Sequence, residues 1–221
     1  MLRRILFAAI IAGTLTGVLF TGVQHLQVIP LIQEAERYEA GAPTQHEHAS
    51  SDTHSDDGEI VERHLFTLLA NVLAGISFAM ILASAITLSK QVGLRKGVLW
   101  GVAGYLCFFV APALGLTPKL PGTLGAPLDY QQIWWVATVI ATAIGLGLLV
   151  FTNHIALKGI GLVFLAMPHA IGAPVPTQAY SSAPEQLRHD FIIASALANA
   201  AFWLMLGSVS GHLLRKTGTT V

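Results

Sequence analysis

Five side chains in one polar tract have the chemistry to hold a metal ion. His46, His48 and His54 offer imidazole nitrogens, and Asp56 and Asp57 offer carboxylate oxygens. This mix, without sulfur, suits borderline divalent ions such as Co(II), Ni(II) and Zn(II) and is poor for Cu(I). The spacing matches no structural zinc pattern, so the tract is expected to collect ions without selecting among them. A second set lies in or at the ends of apolar runs: His25, His64, Asn71, His169, His189 and Asn199. A polar side chain at depth in a bilayer costs a few kcal/mol and is usually kept for a function. Several such groups at one depth point to a path for a metal ion.

The elements that must position these groups are membrane spans. Hydrophobic residues make up 53% of the 221-residue chain and charged residues 11%, and the mean hydropathy is +0.64, far from the balance of a water-soluble domain. The single cysteine, Cys107, stands in an apolar run and reads as a packed small residue, which excludes a disulfide framework or a thiolate site within one chain. A bilayer core of about 30 Å needs roughly 20 apolar residues in helix. The candidates are Ile5 to Val28, Leu65 to Leu88, Val98 to Leu116, Ile133 to Phe151, Leu157 to Ala173 and Phe191 to Leu214. The expectation is an all-α, polytopic membrane helix bundle of about six transmembrane helices, forming one integral membrane domain over residues 1–221. The fifth candidate is short and carries Lys158, Gly159, Gly161, Pro168 and Gly172, so a re-entrant segment, and five crossings, is the alternative. Arg3-Arg4 before the first apolar run also fits a secretory signal, but no A-x-A pattern follows it, and an uncleaved helix is expected. Residues 33–63, acid-rich and poor in aromatics, read as a flexible external loop.

With six spans and an inside N-terminus, all twelve Asp and Glu residues fall on one side. Arg3, Arg4, Lys90, Arg95, Lys96, Lys158, Arg215 and Lys216 fall on the other, eight of the twelve basic residues, in keeping with the positive-inside rule. Both termini are therefore expected in the cytoplasm, with the histidine-rich loop outside. At 1.5 Å per residue, Asn71 lies roughly 10 Å, Asn199 about 12 Å and His169 about 8 Å below the outer ends of their helices. His25, His64 and His189 stand at the outer ends. His64 and Asn71, seven residues apart, share a helix face. His169 is expected to be the key ligand, because it is ionisable at depth and Pro168 leaves the Phe164 carbonyl without its helical donor. His25, His64 and Asn71 would complete the site, with His189 and Asn199 in the second rank. Metal binding needs neutral imidazole, so uptake is expected to fall in acid. His154 and His212, at the inner ends, read as interfacial side chains, and the four tryptophans as membrane anchors. Small residues at four-residue spacing, such as Ala9, Gly13 and Gly17, predict close helix packing.

No GxxxxGK[ST], HExxH or GxSxG pattern occurs in the sequence, which removes ATP hydrolysis by a phosphate loop and the commonest metalloprotease and serine hydrolase readings. The chain is not expected to be an enzyme or to hold a permanently bound cofactor, and its balanced net charge provides no basic field for nucleic acid.

Several segments resemble the CbtA family of cobalt transporter subunits over nearly the full length. They are Gln24-His25-Leu26-Gln27, Val61-Glu62-Arg63-His64-Leu65-Phe66-Thr67, Ala111-Pro112-Ala113-Leu114-Gly115-Leu116, Leu120-Pro121-Gly122, Gln132-Ile133-Trp134-Trp135 and Pro168-His169-Ala170-Ile171-Gly172-Ala173-Pro174. The resemblance implies the bacterial inner membrane, a link to cobalamin synthesis, and a small single-span, histidine-bearing partner subunit, CbtB. Where the family pattern leads one to expect Pro-Glu-Leu-Pro-Gly, this chain has Pro118-Lys119-Leu120-Pro121-Gly122, which argues against a metal ligand from that loop. The sequence is thus read as a subunit that carries Co2+ into the cell across the bacterial inner membrane. Ni(II) is an alternative cargo, and a non-transporting metal-binding or sensor subunit the rival from another class.

Overall fold

The computed structural model describes residues 2–40, 56–178 and 180–216, with side chains from residue 61 onward in the second stretch. His46, His48 and His54 lie outside the described residues, as do the side chains of Asp56 and Asp57. Seven helices follow the apolar pattern: α1 (Leu2–Gln27), α2 (Ile29–Ala40), α3 (Asp56–Leu88), α4 (Leu94–Ala113), α5 (Leu128–Phe151), α6 (Ile155–Ile171) and α7 (Glu185–Lys216). Five of them, α1, α4, α5, α7 and the Val61–Leu88 part of α3, are long and apolar enough to cross a membrane. The shorter α6 has 17 residues, which at 1.5 Å each gives about 26 Å.

Contacts at the helix ends fix the number of traverses. At one end of the bundle the Arg4 guanidinium donates to the carbonyl of Leu214 at 3.2 Å, and the Gly93 N–H donates to the carbonyl of Gly211 at 3.0 Å. The start of α1, the start of α4 and the end of α7 therefore share this end. Trp100 near the start of α4 stacks on Phe151 at the end of α5, ring centroids 6.0 Å apart, so α5 also finishes there. At the opposite end the segment after α4 is tied to the segment after α6. Leu124 N–H donates to Tyr180 O at 2.9 Å, Ser182 N–H to Gly122 O at 3.2 Å, and Thr123 pairs with Ser181 in an antiparallel bridge. The C-terminus of α6 thus lies at the end from which α5 began. A chain that starts and finishes at the same end must traverse the bundle an even number of times, so α6 runs its length and the traverses number six.

Close packing follows from the small residues. A side-chain carbon built on Gly17 of α1 would fall 2.7 Å from the Asn71 carbonyl oxygen of α3, and one on Gly211 of α7 would fall 2.6 Å from the Gly93 carbonyl oxygen. Gly93 also has φ +121°, a conformation that disfavours any side chain. The centre is filled by Phe20, Phe78, Phe108, Phe202 and Trp203, with Phe78 5.1 Å and Phe108 5.2 Å from Trp203 by ring centroid. A second cluster of Val28, Ala35, Leu120, Ala183, Leu187 and Phe191 caps one end.

One expectation needs correction, and one local feature was not foreseen. The polar tract 33–63 is not loop throughout: residues 33–40 belong to α2 and residues 56–63 to α3. Leu31, Ile32 and Ala35 lie three and four residues apart, so α2 has an apolar face against the end cap although its composition is acidic. The third span contains a π-helical turn over Leu106–Val110, where the Ala111 N–H reaches the Leu106 carbonyl. Pro112 follows directly, and its missing N–H already interrupts the α-helical ladder there.

Candidate metal centre

The α1–α3 seam joins more of the expected ligands than any other part of the described structure. The two helices run antiparallel with backbones in contact at Gly13, Gly17 and Gly75. This register sets the end of α1 beside the first exposed turns of α3. His25 and His64 meet there, ring centroids 4.3 Å apart and planes tilted by 55°. His25 is exposed and His64 half-buried. About two turns further along α3 from His64, the Asn71 amide donates to Gln24 Oε1 at 2.6 Å and to Thr21 Oγ1 at 3.0 Å, and the Thr21 hydroxyl in turn donates to the Gly17 carbonyl at 2.9 Å. Both amide protons of Asn71 are spent in this clamp, so its Oδ1 remains the group that can accept or ligate.

Gln24, Val28, Ile29, Ile32, Gln33, Arg63, His64 and Thr67 line a cleft of about 180 Å³ beside the pair. α2 forms one wall. Arg63 of α3 is held by Glu36 of α2, Nη2 to Oε1 2.5 Å and Nη1 to Oε2 3.5 Å. The carboxylate offsets a guanidinium charge that would otherwise repel a cation at the imidazoles.

The remaining candidates stand apart. His169 is on α6, exposed, with its ring edge-on to Trp134 of α5 at 6.2 Å. The substantial packing partner of α6 is α5, so His169 does not join His25 and His64. His189 is exposed on α7, 3.9 Å from the carboxylate of its neighbour Asp190. Asn199 turns its amide back to the Ser195 carbonyl of its own helix at 2.9 Å. Among the described residues no three His, Cys, Asp or Glu side chains converge to hold an ion. The structure thus sets His25 beside His64 at the seam and leaves His169 apart from them on the α5–α6 hairpin. The reason is azimuth: equal depth on two helices does not bring side chains together when the helices belong to different parts of the bundle.

Sequence reasoning passed over Gln24, Thr21, Arg63 and Glu36. A signal for the first two was present, because Thr21, Gln24 and His25 fall at i, i+3 and i+4 and make a polar stripe on an otherwise apolar helix. Arg63 and Glu36 gave none, since their partnership depends on the unforeseen α2.

Charge is divided between the two ends of the bundle. Arg3, Arg4, Lys90, Arg95, Lys96, Arg215 and Lys216 stand at the end where Arg4 meets Leu214, and Glu34, Glu36, Glu39, Glu62, Asp129, Glu185 and Asp190 at the end of the His25–His64 pair. Cations would be drawn to the imidazoles and repelled from the far end. Comparison with curated proteins and with solved structures gives no match. The family model CbtA, described as a probable cobalt transporter subunit, matches residues 2–215. A match over nearly the whole chain, on a bundle of membrane-crossing helices, places this protein in the CbtA family of probable cobalt transporter subunits.

Proposed function

We propose that this subunit takes up Co(II) across the bacterial inner membrane from the face that bears the acidic residues, with both termini in the cytoplasm. The supply of cobalt for cobalamin synthesis is the corresponding physiological role, and a small single-span, histidine-bearing subunit, CbtB, the corresponding partner. The observation that carries the reading is the His25–His64 contact of 4.3 Å at the acid-rich end. Two imidazoles from different helices, with an amide oxygen about two turns deeper along α3 and carboxylates around the rim, form a nitrogen and oxygen donor set of the kind that borderline divalent ions prefer. In this reading His46, His48 and His54 raise the local ion concentration, the seam pair takes the ion, and His169 serves a later or separate step on the hairpin.

The deciding experiment is accumulation of radiolabelled cobalt in proteoliposomes containing the full chain, alone and with the partner subunit, against a nickel and zinc competition series. Accumulation lost at scarce cobalt in the variant carrying both His25→Ala and His64→Ala supports the proposal. Binding without accumulation by the wild type, with the partner present, would leave a metal-binding or sensor subunit. Replacing His46, His48 and His54 together with Ala should weaken uptake at scarce cobalt and leave it nearly intact at abundant cobalt. An alkaline phosphatase fusion after Val221 should be inactive, and strong activity would overturn the proposed orientation.

A further inference from the structure

The geometry points to a binding site for the anionic headgroup of a phospholipid in a cleft between the segment after α4 and the first turns of α5. The cleft measures about 610 Å³ and is lined by Leu116, Thr117, Lys119, Gln131, Gln132, Trp135 and Val136. Lys119 is the cation among these lining residues, and none of them is a carboxylate. Its ammonium is positioned, not merely exposed. Gln131 donates through Nε2 to the Ala126 carbonyl, which turns Oε1 toward Lys119 Nζ at 3.4 Å. Gly125 leaves the room for this arrangement, since a side-chain carbon there would fall 2.9 Å from both Lys119 Nζ and Gln131 Nε2. The Thr117 hydroxyl and the Gln132 amide add neutral donors on the same rim.

The opposite wall is apolar and fixed. Trp135 is backed by Phe108 of α4 at 6.2 Å by ring centroid. Val136 and the neighbouring Ile133 are exposed on the bundle surface, where lipid chains lie if the helix crosses. A positive, donor-bearing head beside an apolar lateral wall fits an amphiphile with a negative head, and it repels the divalent cation proposed for the seam. A tryptophan at this level is the usual anchor at a membrane interface.

The test is native mass spectrometry of the intact, delipidated protein titrated with phosphatidylglycerol and with phosphatidylcholine of the same acyl chains. A basic side chain at a membrane surface contributes about 1 kcal/mol toward an anionic lipid, so the wild type should retain phosphatidylglycerol about fivefold more strongly. Lys119→Gln should remove that preference, Lys119→Arg should keep it, and Lys158→Gln at the other end of the bundle should not alter it. Equal retention of both lipids by the wild type, or a preference that survives Lys119→Gln, would overturn the inference. Inorganic phosphate that displaces phosphatidylglycerol at equal concentration would also overturn it, since the site would then recognise the free anion and not the lipid.

Discussion

The α1–α3 seam and the α5–α6 hairpin each carry a histidine that depth alone would assign to one site, but they are built differently. At the seam, glycines bring two backbones into contact, and the polar groups above that contact are held by one another: Asn71 by Gln24 and Thr21, His25 by His64. On the hairpin, Gly145 and Gly161 also make a close approach, but Gly147 and Gly159 face open space, and His169 meets an aromatic edge with no second imidazole beside it among the described residues. The difference teaches that donors from separate helices meet only where those helices share an interface, and of these two regions the seam is the one that, among the described residues, has imidazoles on both sides.

The most severe way to break the comparison is to wedge the seam apart. Gly17→Leu pushes a side chain against the Asn71 backbone and should destabilise the bundle by about 3 kcal/mol, the upper range for overpacking. It should abolish cobalt accumulation as well. Gly147→Leu, where nothing lies within 4 Å, should leave both nearly unchanged. Thermal unfolding in detergent, followed by uptake, checks the pair. Equal losses in the two variants would show that the seam has no special place.

Next in size is removal of the proposed ligands themselves. His25→Ala with His64→Ala should raise the cobalt concentration for half-maximal uptake by about 100-fold, taking roughly 1.4 kcal/mol per tenfold for each imidazole. His169→Ala should have a much smaller effect, and its protein should remain inserted. If His169→Ala instead matches the double variant, the transported ion depends on the hairpin as strongly as on the seam, and the ranking of the two regions is reversed. Asn71→Leu is expected to sit between these, with a loss of about tenfold, because it removes the amide oxygen and frees Gln24 to turn away.

Much of this fold was legible from hydropathy and charge. The apolar runs gave α1 and α3 to α7 because a lipid-facing helix must be apolar over its crossing length, and the one-sided acids implied the even number of traverses that the Arg4–Leu214 contact requires. The helix ends were less legible. α3 and α7 continue beyond their apolar stretches to Asp56 and Glu185, where polar residues in water carry no hydropathy signal. For the site, depth was readable and azimuth was not. His64 and Asn71 share a face of one helix, which periodicity reports, but which helix faces them depends on glycine contacts between Gly17 and Asn71 that only the folded chain displays.

The smallest expected effect tests the role of α2, the element that the sequence did not disclose. Arg63 and Glu36 are 59% and 39% exposed, so the pair contributes only about 0–1 kcal/mol to stability, and Glu36→Gln should scarcely move the melting temperature. Its electrostatic effect is more specific. Arg63 lines the same cleft as His64, and without the carboxylate its positive charge acts on an incoming divalent ion through partly hydrated space. Half-maximal uptake should shift to a cobalt concentration a few-fold higher, an effect on the order of 1 kcal/mol. Because salt screens exposed charges over about 8–10 Å at ordinary ionic strength, raising the salt should reduce the difference between Glu36→Gln and wild type. It should leave the deficit of the His25 and His64 variant in place, since missing ligands are not restored by screening. A Glu36→Gln shift that persists undiminished in high salt would mean that Glu36 binds the ion directly, and the seam site would then extend from α1 and α3 onto α2.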